Sequence, residues 1–350
     1  MSELWKGNYA VVEGALAGGI DAYFGYPITP QNEITEYMSL RMREENRVFL
    51  QSESELASIN MVFGGAITGK KVMTSSSSPG ISLMQEGISY MAGCELPGVI
   101  VNVQRGGPGL GNIAGAQGDY FQATKGGGHG DYKLIVYTPA TVQELYEMTR
   151  DAFDISIKYR TPVMILTDGI LGQMMEPAEI EKFNNNTYTR NKISELGWNL
   201  TGAKDRPSRF IRSLYMKDNE LENLNYKLFE RYNKFAHLAD WEEKETEQAD
   251  IVLAGYGISA RINKDVFIKA KKQGINIGYF RFKTVFPFPE KRIRQLSRNS
   301  KILVVEMSMG QLVEDVKLHS ENPGNVSFYG RPAGGIPQVD NIIENIKDIL

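Results

Sequence analysis

Short apolar runs alternate with longer helix-spaced segments from residue 22 to about residue 167, and this alternation leaves few architectures open. Ala22–Tyr26, Arg47–Gln51, Lys71–Ser75, Gly98–Gln104, Lys133–Thr138 and Pro162–Thr167 are predicted strands. Pro30–Arg43, Glu55–Thr68, Ile81–Gly93 and Thr141–Tyr159 are predicted helices between them. The run Gly98–Gln104, GVIVNVQ, is apolar almost throughout, as a strand covered on both faces requires. Strands separated by helices imply a doubly wound parallel α/β sheet.

The pattern changes beyond Glu176. A polar stretch running through Asn184–Asn186 to Arg212 is expected to be irregular, and Leu221, Leu224 and Leu228, with Tyr232 and Phe235 further on, mark a helical stripe. The acidic run Glu242–Glu247 is expected to be solvated. A second α/β unit opens at Asp250, where IVLAGYG gives a strand and a glycine turn, followed by a helix to about Lys272. Asn276–Tyr279 and Lys301–Glu306 are further strands. The expected plan is a first domain over 1–178, a linker with a helix over 179–247 and a second domain over 248–350.

Composition excludes several roles. With 39 Lys and Arg against 42 Asp and Glu, the net charge of −3 offers no field for holding nucleic acid or a membrane surface. The single cysteine, Cys94, cannot make an internal disulfide, nor by itself a cysteine-ligated zinc site or iron–sulfur cluster. Any such cluster belongs to a partner. No apolar run approaches the ~20 residues of a membrane span. MSELWKGNYA lacks the apolar stretch of a signal peptide, so a cytoplasmic location is expected.

Ligands of open α/β sheets bind beyond the carboxyl ends of the strands, so the loops there hold the candidates. Thr29 suits a helix N-cap with Pro30 behind it, or a hydroxyl facing an anion. Glu53 and Glu55 share a face if extended and diverge if a helix begins between them; acids also favour a helix's first turn. Ser75–Gly80 is a turn of small polar residues that either caps a helix or holds an anion. Arg105 ends an apolar strand before a glycine-rich loop, where a guanidinium suits a carboxylate. His129, in the loop Gly126–Asp131, is either an acid–base group or an exposed loop histidine. His237 and His319 are isolated, and Cys94 suits a packed small hydrophobe. Thr167-Asp168-Gly169 is the nearest approach to a metal-diphosphate signature, Gly-Asp-Gly with a later Asn, and departs from it in first residue and spacing.

In order and spacing over roughly residues 7–178, five of these segments together resemble one family. They are Tyr26-Pro27-Ile28-Thr29-Pro30, Ser54-Glu55, Ser78-Pro79-Gly80 with Leu83-Met84-Gln85-Glu86, Glu95-Leu96-Pro97 and Arg105-Gly106-Gly107-Pro108. The chain resembles the alpha subunit of 2-oxoacid:ferredoxin oxidoreductases, and its second unit resembles their transketolase C-terminal-like domain. Ser75–Gly80, GGPGLG and GGGHGDY look most like the branched-chain, 2-oxoisovalerate type.

The resemblance implies a thiamine-diphosphate-fold pyrimidine-binding domain followed by a transketolase C-terminal-like α/β domain. Glu55, rather than Glu53, aligns with the catalytic glutamate that hydrogen-bonds the pyrimidine N1′ and so activates thiazolium C2. Pro27, Thr29 and Glu55 would contact the cofactor, and Thr29 and Arg105 would face the 2-oxoacid. Thiamine diphosphate would be shared with a beta subunit that carries Mg²⁺, leaving no metal on this chain. Iron–sulfur clusters would lie in the beta and ferredoxin-like delta subunits, with a gamma subunit completing the assembly. Coenzyme A would take the acyl group and ferredoxin the electrons. The alternatives are the same machinery acting on 2-oxoglutarate, or an indolepyruvate or pyruvate variant, and a non-catalytic scaffold subunit of such a complex.

Overall fold

In the computed structural model, which describes residues 2–183 and 196–350, the chain opens with β1 (Glu3–Lys6) and α1 (Gly7–Ala17). The expected irregular stretch at Asn184–Asn186 lies outside the described residues. The alternation follows as β2 (Ala22–Gly25), α2 (Asn32–Glu44), β3 (Val48–Gln51), α3 (Glu55–Ala66), β4 (Val72–Ser76), α4 (Ser78–Gly93) and β5 (Gly98–Gln104). It continues through α5 (Tyr120–Thr124), β6 (Ile135–Tyr137), α6 (Val142–Tyr159), β7 (Pro162–Asp168), α7 (Gly169–Gln173) and β8 (Met175–Ala178). Then come α8 (Glu220–Asn233), β9 (Trp241–Lys244), β10 (Ile251–Tyr256), α9 (Gly257–Lys272), β11 (Ile277–Phe282) and β12 (Thr284–Phe286). The chain ends with α10 (Glu290–Asn299), β13 (Lys301–Glu306), α11 (Leu312–His319), β14 (Val326–Gly330) and α12 (Val339–Ile349).

The larger sheet has the order β12-β6-β7-β5-β4-β2-β3 and is parallel apart from β12, which runs antiparallel to β6. β5 lies inside it between β4 and β7, and all seven of its residues are buried, which accounts for its apolar run. Side chains alternate across a strand. Val99, Val101 and Val103 therefore join the core formed with α1, α2 and α6, while Ile100 joins the core on the face of α3 and α4. The second sheet, β14-β13-β10-β11-β9, is parallel apart from β9. Its Val252, Phe280 and Val304 continue the α3–α4 core, so one apolar cluster runs through both sheets.

Buried polar groups also cross this junction. The Gln117 side chain donates to the Tyr256 carbonyl (2.9 Å) and accepts from the Ser259 hydroxyl (2.7 Å) and the Met307 N–H (2.9 Å). Arg281 on β11 donates twice to Glu144 on α6, at 2.6 Å each.

The acidic run Glu242–Glu247 is largely exposed, as expected, and its first part is also a strand of the second sheet. Trp241–Lys244 pairs with β11 as an edge strand, with Trp241 stacked on Phe280. Its carboxylates meet cations of later elements, Glu243 with Arg292 (2.8 Å) and Glu245 with Lys271 (2.6 Å). No helix among the described residues is long and apolar enough to cross a membrane.

Candidate functional site

Parallel strands end at one edge of their sheet, so the loops after β2, β3, β4 and β5 gather there. The loop after β2 is built differently from the sequence expectation. α2 starts at Asn32 with Gln31 in the N-cap position, not Thr29. The Pro30 carbonyl accepts from the side chains of Asn8 (3.0 Å) and Gln173 (3.2 Å), and the first helical turn forms behind it. Thr29 is left exposed, Pro27 half-buried, and the Thr29–Pro30 bond is cis. Beneath them Gln31 accepts from the Ser75 hydroxyl, which also meets the Tyr23 hydroxyl, at 2.7 Å each. Gln31 and Tyr23 carry no sequence signature, and their contact with Ser75 of the Ser75–Gly80 segment is made only through the sheet.

Ser54 caps α3, its hydroxyl accepting from the Ala57 N–H (3.2 Å). The helix therefore begins between Glu53 and Glu55 and sends them apart: Glu53 is exposed and Glu55 is only 5 % exposed. Among the described residues the Glu55 carboxylate has no hydrogen-bond or ion-pair partner. It lies against the start of α4. A Cβ on Gly80 would stand 2.5 Å from Glu55 Oε1 and closer still to the Ser76 hydroxyl, so only glycine fits there.

Arg105 is 6 % exposed. Its Nη1 donates to the Thr29 carbonyl (2.9 Å) and its Nη2 to the Leu110 carbonyl (3.0 Å), while its buried Nε has no partner among the described residues. No carboxylate among the described residues pairs with it. The Ser78 hydroxyl accepts from the Arg105 N–H (3.0 Å) and also bonds to Asp119, whose carboxyl is raised by burial. The Ser77 hydroxyl, buried at the start of α4, is unpartnered as well. A buried guanidinium without a counter-charge is costly unless an anion meets it. The strand ends thus bring together an unpaired carboxylate and an unpaired cation.

Beside Thr29 opens a cleft of about 580 Å³. Ile113, Ile170 and Ile336 give it an aliphatic wall, and Glu33 is its one charged lining residue. Glu33 is held by Lys6 (2.5 Å), Asn8 (2.9 Å) and Gln173 (3.0 Å).

Other singled-out residues lie elsewhere. His129 is an exposed loop residue whose carbonyl accepts from the Ser89 hydroxyl (2.7 Å). His237 meets the Tyr159 hydroxyl (3.0 Å), and His319 stacks on Phe288. Cys94 is buried, which pushes its thiol up and away from thiolate chemistry. Asp168 caps α7 through the N–H groups of Ile170 (2.9 Å) and Leu171 (3.1 Å). No group of three or more His, Cys, Asp or Glu among the described residues is placed to hold a metal ion.

Residues 13–238 match the family described as pyruvate flavodoxin/ferredoxin oxidoreductase, thiamine diphosphate-binding, and residues 249–342 match pyruvate:ferredoxin oxidoreductase core domain II. The chain belongs to the pyruvate flavodoxin/ferredoxin oxidoreductase family. Within this family it is an oxidoreductase subunit of the 2-oxoacid:ferredoxin alpha type, with the α/β fold that the motifs implied. It is 43% identical over 350 residues to the ketoisovalerate oxidoreductase subunit VorB of Methanothermobacter thermautotrophicus, covering 99% of this chain and 98% of that one. It is 37% identical over 321 residues to the 2-oxoglutarate synthase subunit KorA of Archaeoglobus fulgidus, covering 90% of each. Its structure superposes with a TM-score of 0.87 on 2-oxoglutarate:ferredoxin oxidoreductase from Magnetococcus marinus with 2-oxoglutarate, coenzyme A and succinyl-CoA bound. The identity there is 26%, and the match covers 99% of this chain and 65% of that one. The strand-end residues fit the cofactor in this family's description: a buried, unpaired carboxylate such as Glu55 would suit a heterocycle nitrogen, and Gly80 leaves space beside it.

Proposed function

We propose that this chain is the alpha subunit of an enzyme that oxidatively decarboxylates a branched-chain 2-oxoacid, 2-oxoisovalerate. The 2-oxoacid and coenzyme A give acyl-CoA and CO₂, and two electrons pass singly to ferredoxin. The observation that carries this reading is the cleft beside Thr29, aliphatic on Ile113, Ile170 and Ile336, with a carboxylate, Glu33, as its one charge. An isopropyl side chain suits such a wall. The second carboxylate of 2-oxoglutarate would find no unpaired cation on this wall, because the nearby Lys6 is taken up by Glu33.

In this reading Glu55 hydrogen-bonds the pyrimidine N1′ of thiamine diphosphate, with Pro27 and Thr29 beside it. When bound, the cofactor supplies the electron sink for loss of CO₂. Arg105, held by the Thr29 and Leu110 carbonyls, supplies a positive charge that no carboxylate among the described residues compensates, and this charge attracts the 2-oxoacid carboxylate. A beta subunit carries the diphosphate and Mg²⁺. Leu50, Leu56, Leu83 and Leu110 are all exposed around the strand ends, which supports a partner covering this edge. Gamma and ferredoxin-like delta subunits complete the complex, and the iron–sulfur clusters lie in the partners, since one cysteine cannot bind them here. Cytoplasmic localisation belongs to the same reading, as does a domain division near residues 178 and 247.

The test is kcat/KM of the assembled enzyme for 2-oxoisovalerate and 2-oxoglutarate, with coenzyme A and a ferredoxin acceptor. The branched substrate is expected to be preferred. Ile113→Arg should move the ratio toward 2-oxoglutarate by about tenfold or more, the worth of one charged hydrogen bond. A wild-type preference for 2-oxoglutarate would overturn the substrate assignment.

A further inference from the structure

A second cavity, of about 710 Å³, lies where α8 meets both α/β units, and it shares no lining residue with the cleft beside Thr29. Its walls are aromatic. Phe229 and Tyr232 come from α8, Trp241 from β9, Phe286 from β12 and Phe288 from the turn before α10. Phe288 itself stacks on Phe282 and on His319, with ring centroids 5.1 Å away in each case. Flat apolar walls with a few polar groups, in this volume range, are characteristic of small-molecule sites.

The charges are unbalanced. Lys125 is paired with Asp315, and Arg292 with Glu243 and Glu247. Lys133 has no ion pair among the described residues, and its Nζ stands 5.6 Å from the centre of the Phe286 ring. It is half-buried, and burial, with repulsion from Lys125, pushes its ammonium below the usual lysine range. The Tyr232 hydroxyl, on a side chain only 7 % exposed, lies by the Lys133 backbone N–H and donates its own proton to no acceptor among the described residues. A partly desolvated cation and a free hydroxyl proton at one wall are complementary to an anion.

We propose that this cavity binds an aromatic anion. A planar ring fits between the α8 aromatics and Phe286 with Phe288, and a carboxylate, sulfonate or phosphate on the ring meets Lys133 and the Tyr232 hydroxyl. Aromatic rings favour offset or edge contacts of this kind. A ligand here touches α8 and both units at once and so tightens their junction. The inference stands apart from the substrate assignment, since the two sites have no residue in common.

The probe is 8-anilinonaphthalene-1-sulfonate, compared with N-phenyl-1-naphthylamine, which has the same rings without the sulfonate. Both are titrated into the full chain and into the assembled enzyme. The sulfonate is expected to saturate one site and to quench tryptophan emission by energy transfer, and Trp241→Phe should lessen that quenching. Lys133→Met should weaken the sulfonate about tenfold while leaving the neutral analogue within about twofold, which also shows that the variant is folded. Ala236→Trp, at an exposed position lining the cavity, should block both probes. Equal loss or no loss of the two probes in Lys133→Met would overturn the proposal, as would undiminished binding in Ala236→Trp. Failure of the assembled enzyme to bind either probe would overturn it too, because a partner subunit would then fill the cavity.

Discussion

Glu55 and Arg105 are both more than nine-tenths buried and both lack a partner of opposite charge among the described residues, yet they should fail differently when replaced. Glu55 faces the start of α4, where a cofactor ring would lie. Glu55→Gln keeps the shape and removes the charge, so hydrogen–deuterium exchange at thiamine C2 should slow by about 10²–10⁴-fold, with assembly intact. Exchange at the wild-type rate would transfer attention to Glu53. Arg105 is tied to the loop of Thr29 rather than to α3. Arg105→Ala should leave that exchange near normal and lower kcat/KM for the 2-oxoacid by about 1.5–3 kcal/mol. Arg105→Lys should recover only part, because an ammonium cannot hold two carbonyls and still present a donor in the plane of the fork. Variants that differ only in yield of folded protein would favour the scaffold alternative.

Short elements depend on single caps, and α7 depends on Asp168. The carboxylate ends β7, accepts the N–H groups of Ile170 and Leu171 in α7 and that of Ile258 in α9, and is 1 % exposed. Burial outweighs these hydrogen bonds and pushes its carboxyl up to about 6. The folded state therefore holds this proton more tightly than the unfolded chain, whose aspartates titrate near about 3.9. A raised carboxyl contributes stability that is complete below the unfolded value and is lost as pH rises through the folded value. Between about pH 4 and pH 6 the wild type should lose roughly 3 kcal/mol from this group. Asp168→Asn keeps a capping oxygen and should lack that slope. Urea midpoints of both proteins across this range decide it; parallel profiles would mean that Asp168 is already ionised at the low end.

At the scale of the whole molecule the two sheets are joined by the apolar cluster around Val252 and Phe280, by Gln117, and by the Arg281–Glu144 pair. Arg281 is 5 % exposed, so removing it alone strands a carboxylate. Arg281→Met should cost about 3–5 kcal/mol, and adding Glu144→Leu should recover most of it, because the uncompensated charge goes too. Burial opposes ionisation of Glu144, but Arg281 prevails and holds it below the usual carboxylate range. Its contribution is therefore present above the ordinary carboxylate value and lost as pH falls through the lowered one. Thermal unfolding should show the wild type losing stability in that acid window and the double variant losing less. Equal melting temperatures for the single and double variants would show that the pair is not a coupled tie.

Local pattern was enough for the elements whose surroundings leave a local trace. β5 is buried on both faces and had to be continuously apolar, and α3 begins at a serine cap, so the separation of Glu53 from Glu55 was one of two outcomes already visible. Arg105 stood out because a strand end followed by glycines is a place where backbone and ligand approach closely. What the chain does at Thr29 was decided elsewhere, by Asn8 on α1 and Gln173 on α7, which take the Pro30 carbonyl and delay α2. The acidic tract at β9 is solvated as its charge suggests, but nothing in it records that Arg292 and Lys271, tens of residues later, fold against it. The cleft wall draws Ile113 and Ile336 from two distant loops and Ile170 from α7, and the aromatic cavity draws on α8 and both units in the same way. Spacing along a chain records which neighbours share a helix face or a strand face. It holds no record of which distant surfaces meet, since that is settled by burying the apolar area of both sheets in one core.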